Sequence, residues 1–116
     1  MVPADWVPCR RPADGELVGY LVPVGDDYRP VNLVGYPLAE PSAEVPARAV
    51  LETRGLASLD DAWLWSAPDR EVEVRLLEVS VDRVVVVETP YGMPGPDNPR
   101  HELTVPVSNL RPGRRR

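Results

Sequence analysis

Polar and apolar residues alternate with a period of two over Glu71-Val72-Glu73-Val74-Arg75-Leu76. That is the mark of a strand with one buried face. Ser80–Arg83 predicts a turn, and Val84–Val87 beyond it is apolar on both faces, as a central strand would be. Closing this hairpin with Val79 opposite Val84 sets Arg75 opposite Glu88, an opposite-charge pair that favours the register. The doublet Leu76-Leu77 breaks the alternation and predicts a bulge or a strong bend. Ahead of the hairpin, Ser58–Asp61 predicts a single capped turn and Ala62-Trp63-Leu64-Trp65 the start of a strand. In a strand Trp63 and Trp65 share one face. They read first as core anchors, since a small β domain without Phe needs large side chains in its interior. Behind the hairpin, residues 90–99 hold four Pro and two Gly, which excludes regular structure and predicts a long connection. Residues 102–107, ELTVPV, then predict a strand, and 108–112, SNLRP, a short closing turn.

Near the start, Leu-Val-Gly-Tyr occurs at 17–20 and again at 33–36. Folding residues 17–36 back on themselves about Asp26-Asp27 sets Tyr20 opposite Leu33, Leu17 opposite Tyr36 and Pro23 opposite Pro30. Neither proline can donate to a ladder, so the pair belongs at a non-hydrogen-bonded site. This selects a four-residue turn at 25–28 closed by Val24 and Arg29. The two copies therefore read as the arms of one hairpin, and a 16-residue spacing with no third copy is no solenoid.

Residues 42–54, SAEVPARAVLETR, predict a helix. Ser42 suits the cap, Glu44 the positive N-terminal end, and Pro46 the first turn. Gly55 suits a left-handed position after the helix, with Leu56 packing back on Leu51.

From about Glu71 to Pro112 the chain resembles small SH3-like barrels of the Tudor type. The likeness lies in the bent hairpin VEVRLLEVSVDRVVVVE, a loop, the strand ELTVPV and the turn SNLRP. Such barrels finish with a strand, a single 3₁₀-like turn and a Leu. The resemblance implies binding of peptides, modified side chains or nucleic acid. A methyl-lysine cage would have to draw on Tyr91, with Trp63 or Trp65 joining from upstream. The expected fold is mainly β (α+β): a strongly bent antiparallel sheet or small SH3-like barrel with one short helix at 42–54. A single compact domain is expected over 1–112, with hairpin 17–36, helix 42–54 and a barrel-like part at 63–112. Residues 113–116 are expected to form a flexible basic tail.

Charge narrows the partner class. The formal net charge is −5, and residues 1–110 carry nine Arg against eighteen Asp and Glu, while 111–116 carry four Arg. An acidic body repels nucleic acid and anionic membrane and attracts basic proteins. Lys, Ile, Phe and Gln are absent; the first three have AT-rich codons, which points to a GC-rich bacterial genome, so the Arg content says little about phosphate binding. No apolar run reaches membrane-span length, and no leader of the basic-then-apolar kind opens the chain. A cytoplasmic protein is expected.

Candidate chemistry is sparse. The one cysteine, Cys9, excludes an internal disulfide and a cysteine metal cluster, and reads as a buried structural residue. The one histidine, His101, reads as solvated. Asp26-Asp27 and Asp60-Asp61 fall in expected turns, where Asp bonds locally. No phosphate loop or EF-hand spacing occurs. No enzyme, cofactor or metal is expected. The expected function is a protein-interaction module, an accessory or inhibitory subunit for a basic partner; a nucleic-acid accessory acting through the Arg tail and a small-ligand barrel are the alternatives. The expected contact residues are Tyr91 and Met93 in the stiff loop Pro90–Pro99, with Trp63 or Trp65 nearby. Function sits on loops held by rigid strands, and a plain spacer is the competing reading.

Overall fold

The computed structural model describes residues 2–89, 95 and 97–113. The order is β1 (Val7–Arg10), β2 (Leu17–Val24), β3 (Asp27–Val31), α1 (Glu44–Arg54), a 3₁₀ turn (Ala57–Asp60), β4 (Trp63–Ala67), β5 (Arg70–Val79), β6 (Arg83–Glu88), β7 (Arg100–Thr104) and β8 (Leu110–Pro112). These build a three-stranded antiparallel sheet, β1-β2-β3, and a five-stranded one, β7-β6-β5-β4-β8. Mainly antiparallel β with one short helix is the fold class expected from the sequence.

The first hairpin forms, but with a shorter turn. Val24 pairs with Asp27, Pro23 with Tyr28 and Leu21 with Pro30. The loop is Gly25-Asp26 alone, and Gly25 has φ 60°, as a two-residue turn with glycine first requires. Counting from the closing pair, both prolines still fall at non-hydrogen-bonded positions, so the constraint on Pro23 and Pro30 is met without their facing each other.

The second Leu-Val-Gly-Tyr is not a strand. Asn32 captures it: Asn32 Oδ1 accepts from the backbone N–H of Val34 at 3.2 Å and of Tyr36 at 3.0 Å. An Asx-type turn of this kind competes directly with a ladder. Its result is that the two copies serve different interiors. Val18 lies under the helix with Cys9, Leu21, Ala47 and Leu51. Val34 is inserted instead among Trp63, Trp65, Val74, Val84 and Val86 of the larger sheet.

The helix starts at Glu44, with Ala43 at the cap position and no side-chain cap bond. Ser42 is drawn away by backbone bonds in both directions with Tyr28, at 2.8 and 3.0 Å. Gly55 is right-handed, φ −55°, and is needed for space: a Cβ there would stand 2.2 Å from the carbonyl oxygen of Val18. Leu56 packs on the cluster that holds Leu51, as expected.

In the larger sheet Val79 does pair with Val84, and the bulge falls at Leu77, between Leu76 opposite Val86 and Glu78 opposite Val85. The bulge shifts everything below it by one residue. Glu88 therefore lies opposite Val74 and Arg75 opposite Val87, and the expected Arg75–Glu88 pair does not form. Arg75 donates to the carbonyl of Asp60 at 3.1 Å instead. The extra residue also lets Leu76 and Val79, three apart, both pack on the core.

The sheet is rolled. Trp65 on β4 and His101 on β7 are three strand positions apart in the sheet, about 14 Å if it were flat, yet their ring centroids are 4.5 Å apart. Residues 110–112, expected as a turn, form β8 on the free edge of β4, with Leu110 opposite Trp65. Gly113 donates to the Ala62 carbonyl at 2.8 Å, so the anchored chain runs one residue beyond the expected limit of 112. Residues 114–116 lie outside the described residues.

Candidate functional site

Trp63 and Trp65 point the same way from β4, and the fold spends both on the interior, at 1% and 8% exposure. They are core anchors of the five-stranded sheet rather than an open contact surface. Tyr91 and Met93 lie outside the described residues, as does most of Pro90–Pro99. The structure does place the base of that loop, and there the polar chemistry concentrates.

Glu88 closes β6 with its side chain buried among three strands. Arg70, at the start of β5, donates Nη2 to Glu88 Oε2 at 2.7 Å. His101 Nε2, from β7, lies 2.7 Å from the same oxygen. A carboxylate only accepts, so Nε2 carries the proton of that bond. The His101 ring packs in turn on Trp65. The hydrogen bonds from Arg70 and then His101 hold the Glu88 carboxyl below its ordinary pKa, against the opposing effect of burial. His101, expected as solvated, is thus half-buried and committed to a carboxylate. The same strand end ties down the loop. Glu88 N–H donates to the Pro99 carbonyl at 2.9 Å, Asn98 Nδ2 donates to the Glu88 carbonyl at 2.8 Å, and Thr89 N–H donates to the Glu73 carbonyl at 2.9 Å. The cluster fixes where the proline-rich connection leaves and rejoins the sheet.

A second feature was not legible in the sequence. A cleft of about 340 Å³ runs between the Asn32 turn, the end of α1 and the β4–β8 edge. Its apolar wall is Tyr36, Pro37, Leu38, Trp63 and Pro112; its polar wall is Arg54, Ser58 and Asp61. The Tyr36 and Trp63 rings meet edge to face at 5.4 Å. Arg54 Nη1 donates to the Leu38 carbonyl at 3.0 Å. Ser58 Oγ accepts from Asn32 Nδ2 at 3.0 Å and donates to the Gly55 carbonyl at 2.7 Å. These residues are scattered over positions 36–112, and their one sequence signal was Asn32, which marks the turn that brings Tyr36 to Trp63.

Cys9 is fully buried beneath α1, with Arg48 Nη1 3.4 Å from its sulfur. Burial pushes the thiol upward in pKa, with Arg48 opposing, which is the setting of an inert structural cysteine. Among the described residues, no group of three or more His, Cys, Asp and Glu side chains is placed to hold a metal ion, and no helix is long and apolar enough to cross a membrane.

The arginines of the body are largely spent on the fold. Arg11, Arg48, Arg70, Arg83 and Arg111 pair with Asp14, Glu44, Glu88, Glu102 and Glu71. Arg10, Arg54 and Arg75 donate to backbone carbonyls. Eighteen acidic residues stand against them, so the surface keeps an acidic surplus. Comparisons with protein-family models, with curated proteins and with solved structures find no match to this chain.

Proposed function

We propose that this chain is a small acidic protein-interaction module of the cytoplasm, an accessory or inhibitory subunit that docks on a basic protein partner. In this reading the rolled five-stranded sheet is an SH3-like barrel that presents the loop Pro90–Pro99 as its contact element. The observation that carries the reading is the use of arginine. Eight of the ten arginines among the described residues are tied to carboxylates or carbonyls of the same chain, and with eighteen acidic residues in the chain the excess carboxylates set the sign of the field that a partner meets. The clamp at Glu88, Asn98 and Pro99 supports the role of the loop, because a connection held at both ends loses less entropy on binding.

The test is capture from a lysate of the native cell, followed by elution in steps of rising salt and mass spectrometry. The expected result is a specific partner of high isoelectric point, released as screening shortens the reach of the field, and lost when Tyr91 and Met93 are both replaced by Ser in a folded variant. Recovery of acidic or nucleic-acid-bound proteins, insensitive to salt, contradicts the reading. Undiminished recovery by the double variant makes the loop a spacer.

A further inference from the structure

We propose that the outer edge of β7 is a self-association surface, on which a second copy of this chain pairs antiparallel about a two-fold axis at His101. The proposal stands apart from the protein-docking reading, since it rests on a strand edge and a reciprocal charge pair rather than on the acidic surplus or the loop Pro90–Pro99.

The two sheets have four outer edges, at β1, β3, β7 and β8. An uncovered edge presents unpaired N–H and C=O groups, and proteins blunt it with proline, charge or cover. β3 is covered by the chain that follows it: Leu38 N–H donates to the Pro30 carbonyl at 2.9 Å, and Tyr28 and Ser42 exchange bonds at 2.8 and 3.0 Å. β1 carries Pro8. At β8, Ser66 N–H donates to the Asn109 carbonyl and Gly113 N–H to the Ala62 carbonyl, which sets Leu110 and Pro112 facing outward. Pro112 has no N–H to offer a further strand. β7, Arg100–Thr104, has neither proline nor cover among the described residues. Glu88 N–H donates to the Pro99 carbonyl and Val105 N–H to the Asp82 carbonyl. In the β6–β7 register these bonds make His101 and Leu103 the residues bonded to β6. The N–H and C=O groups of Arg100, Glu102 and Thr104 therefore point outward, and all three residues are exposed.

The side chains decide which strand fits this edge. Arg100 makes no ion pair among the described residues. Glu102 meets Arg83 at 3.2 Å on the exposed face. Self-pairing with full overlap sets Glu102 opposite its own copy, and like charges directly opposite are destabilising. Shifting the register by two residues sets Arg100 opposite the copy's Glu102 and, by the two-fold axis, Glu102 opposite the copy's Arg100. Both are hydrogen-bonded positions, so each pair exchanges two backbone bonds, and both lie on the solvent face. A carboxylate that bonds Arg83 still has capacity for a second guanidinium. His101 meets its own copy at the axis, on the other face of the sheet, with each imidazole kept on its own Glu88. The charges that deter an arbitrary strand are thus complementary to themselves. A five-residue edge makes a small interface, under the ~1,200 Å² of stable complexes, so the association is weak.

The experiment is sedimentation of the native protein in a dilution series from about 1 mM to about 10 µM, with amide hydrogen exchange followed by NMR at both ends. The expected result is a monomer at the dilute end and a growing dimer fraction at the concentrated end, with exchange of the Arg100 and Glu102 amides slowed only there. Arg100→Glu and Glu102→Arg should each weaken association at least ~10-fold, because two attractive pairs become repulsive. The double variant, Arg100→Glu with Glu102→Arg, keeps the net charge and restores both pairs, so it should dimerise like the native protein. Circular dichroism checks the fold of each. A monomer at about 1 mM overturns the proposal, as does a dimer that survives both single changes. Protection of the two amides at every dilution also overturns it, because the chain would then be covering its own edge. The dilution series needs no variant, so its result stands even if a substitution disturbs the sheet.

Discussion

Glu88 is a residue at which a single change should weaken the C-terminal sheet. Its side chain is 7% exposed and its carboxylate accepts from Arg70 and His101 through one oxygen. Replacing it by Gln removes the charge from two charge-assisted bonds and leaves a buried amide beside two donors. The expected loss is about 1.5–3 kcal/mol, read from urea denaturation. The same contacts set a pH dependence. The carboxyl is held below its ordinary pKa in the fold, so the unfolded chain binds the proton more readily. Its stabilising contribution is therefore complete above the unfolded carboxylate pKa and is lost as pH falls through the lower folded value. Thermal melts of the native protein should fall as pH drops below the ordinary carboxylate pKa of 4.5, and Glu88→Gln should flatten that fall. An equal slope in both proteins would show that other carboxylates govern the acid limb.

At the scale of the element, two devices do more than propensity. The first is the bulge at Leu77. With Leu77 deleted, Leu76 and Val79 would still face inward, now as ordinary alternate residues of a regular strand. The twist and bend that the bulge adds would go, and with them the approach of β7 to β4. The expected outcome is a folded but more loosely packed sheet, about 1–3 kcal/mol less stable by denaturation, with weakened near-ultraviolet circular dichroism from Trp65 as its packing on His101 is lost. The second is the start of α1. Ser42 is engaged through its backbone with Tyr28 and its hydroxyl donates to the Ala43 carbonyl at 3.3 Å, so it caps no N–H of the helix. Ser42→Ala should cost well under the ~1 kcal/mol of a true cap; a full cap-sized loss in the thermal melt would contradict this account.

For the molecule as a whole, two interiors are joined by a short run of chain. Val34 enters the core of the rolled sheet, and Val107 N–H donates to the Val34 carbonyl at 2.9 Å. The second Leu-Val-Gly-Tyr is thus a plug that ties the three-stranded sheet and its helix to the five-stranded one. Beyond Gly113 the sequence offers only Arg114–Arg116, without an apolar group for either core. Removing those three should change the melting midpoint little, because exposed ion pairs contribute about 0–1 kcal/mol. A shift beyond that range would assign them a structural contact with the acidic body.

The sequence by itself determined the elements whose signals are local. Alternation at 71–76 and the apolar run 84–87 are strand periodicities that the fold keeps, and the Leu76-Leu77 doublet carried its bulge. The helix expected at 42–54 forms over 44–54 from its helix-compatible run alone, since Ser42 caps no N–H and Gly55 is right-handed. What tertiary structure decided is where competing local options met. Leu-Val-Gly-Tyr is a strand at 17–20, where β1 and β3 flank it, and a turn at 33–36, where the Asn32 side chain takes the amides first. The prolines constrained a parity and left the turn length open, because two hairpin registers satisfy it equally. Glu88 lost Arg75 to a one-residue shift and found Arg70 and His101, partners 18 and 13 residues away, which the pairing of β6 between β5 and β7 brings within reach. Residues 110–112 became a strand because β4 had an open edge to fill. The cleft is the extreme case: Tyr36, Arg54, Asp61 and Pro112 share no local pattern, and their meeting depends on how the two cores pack against each other.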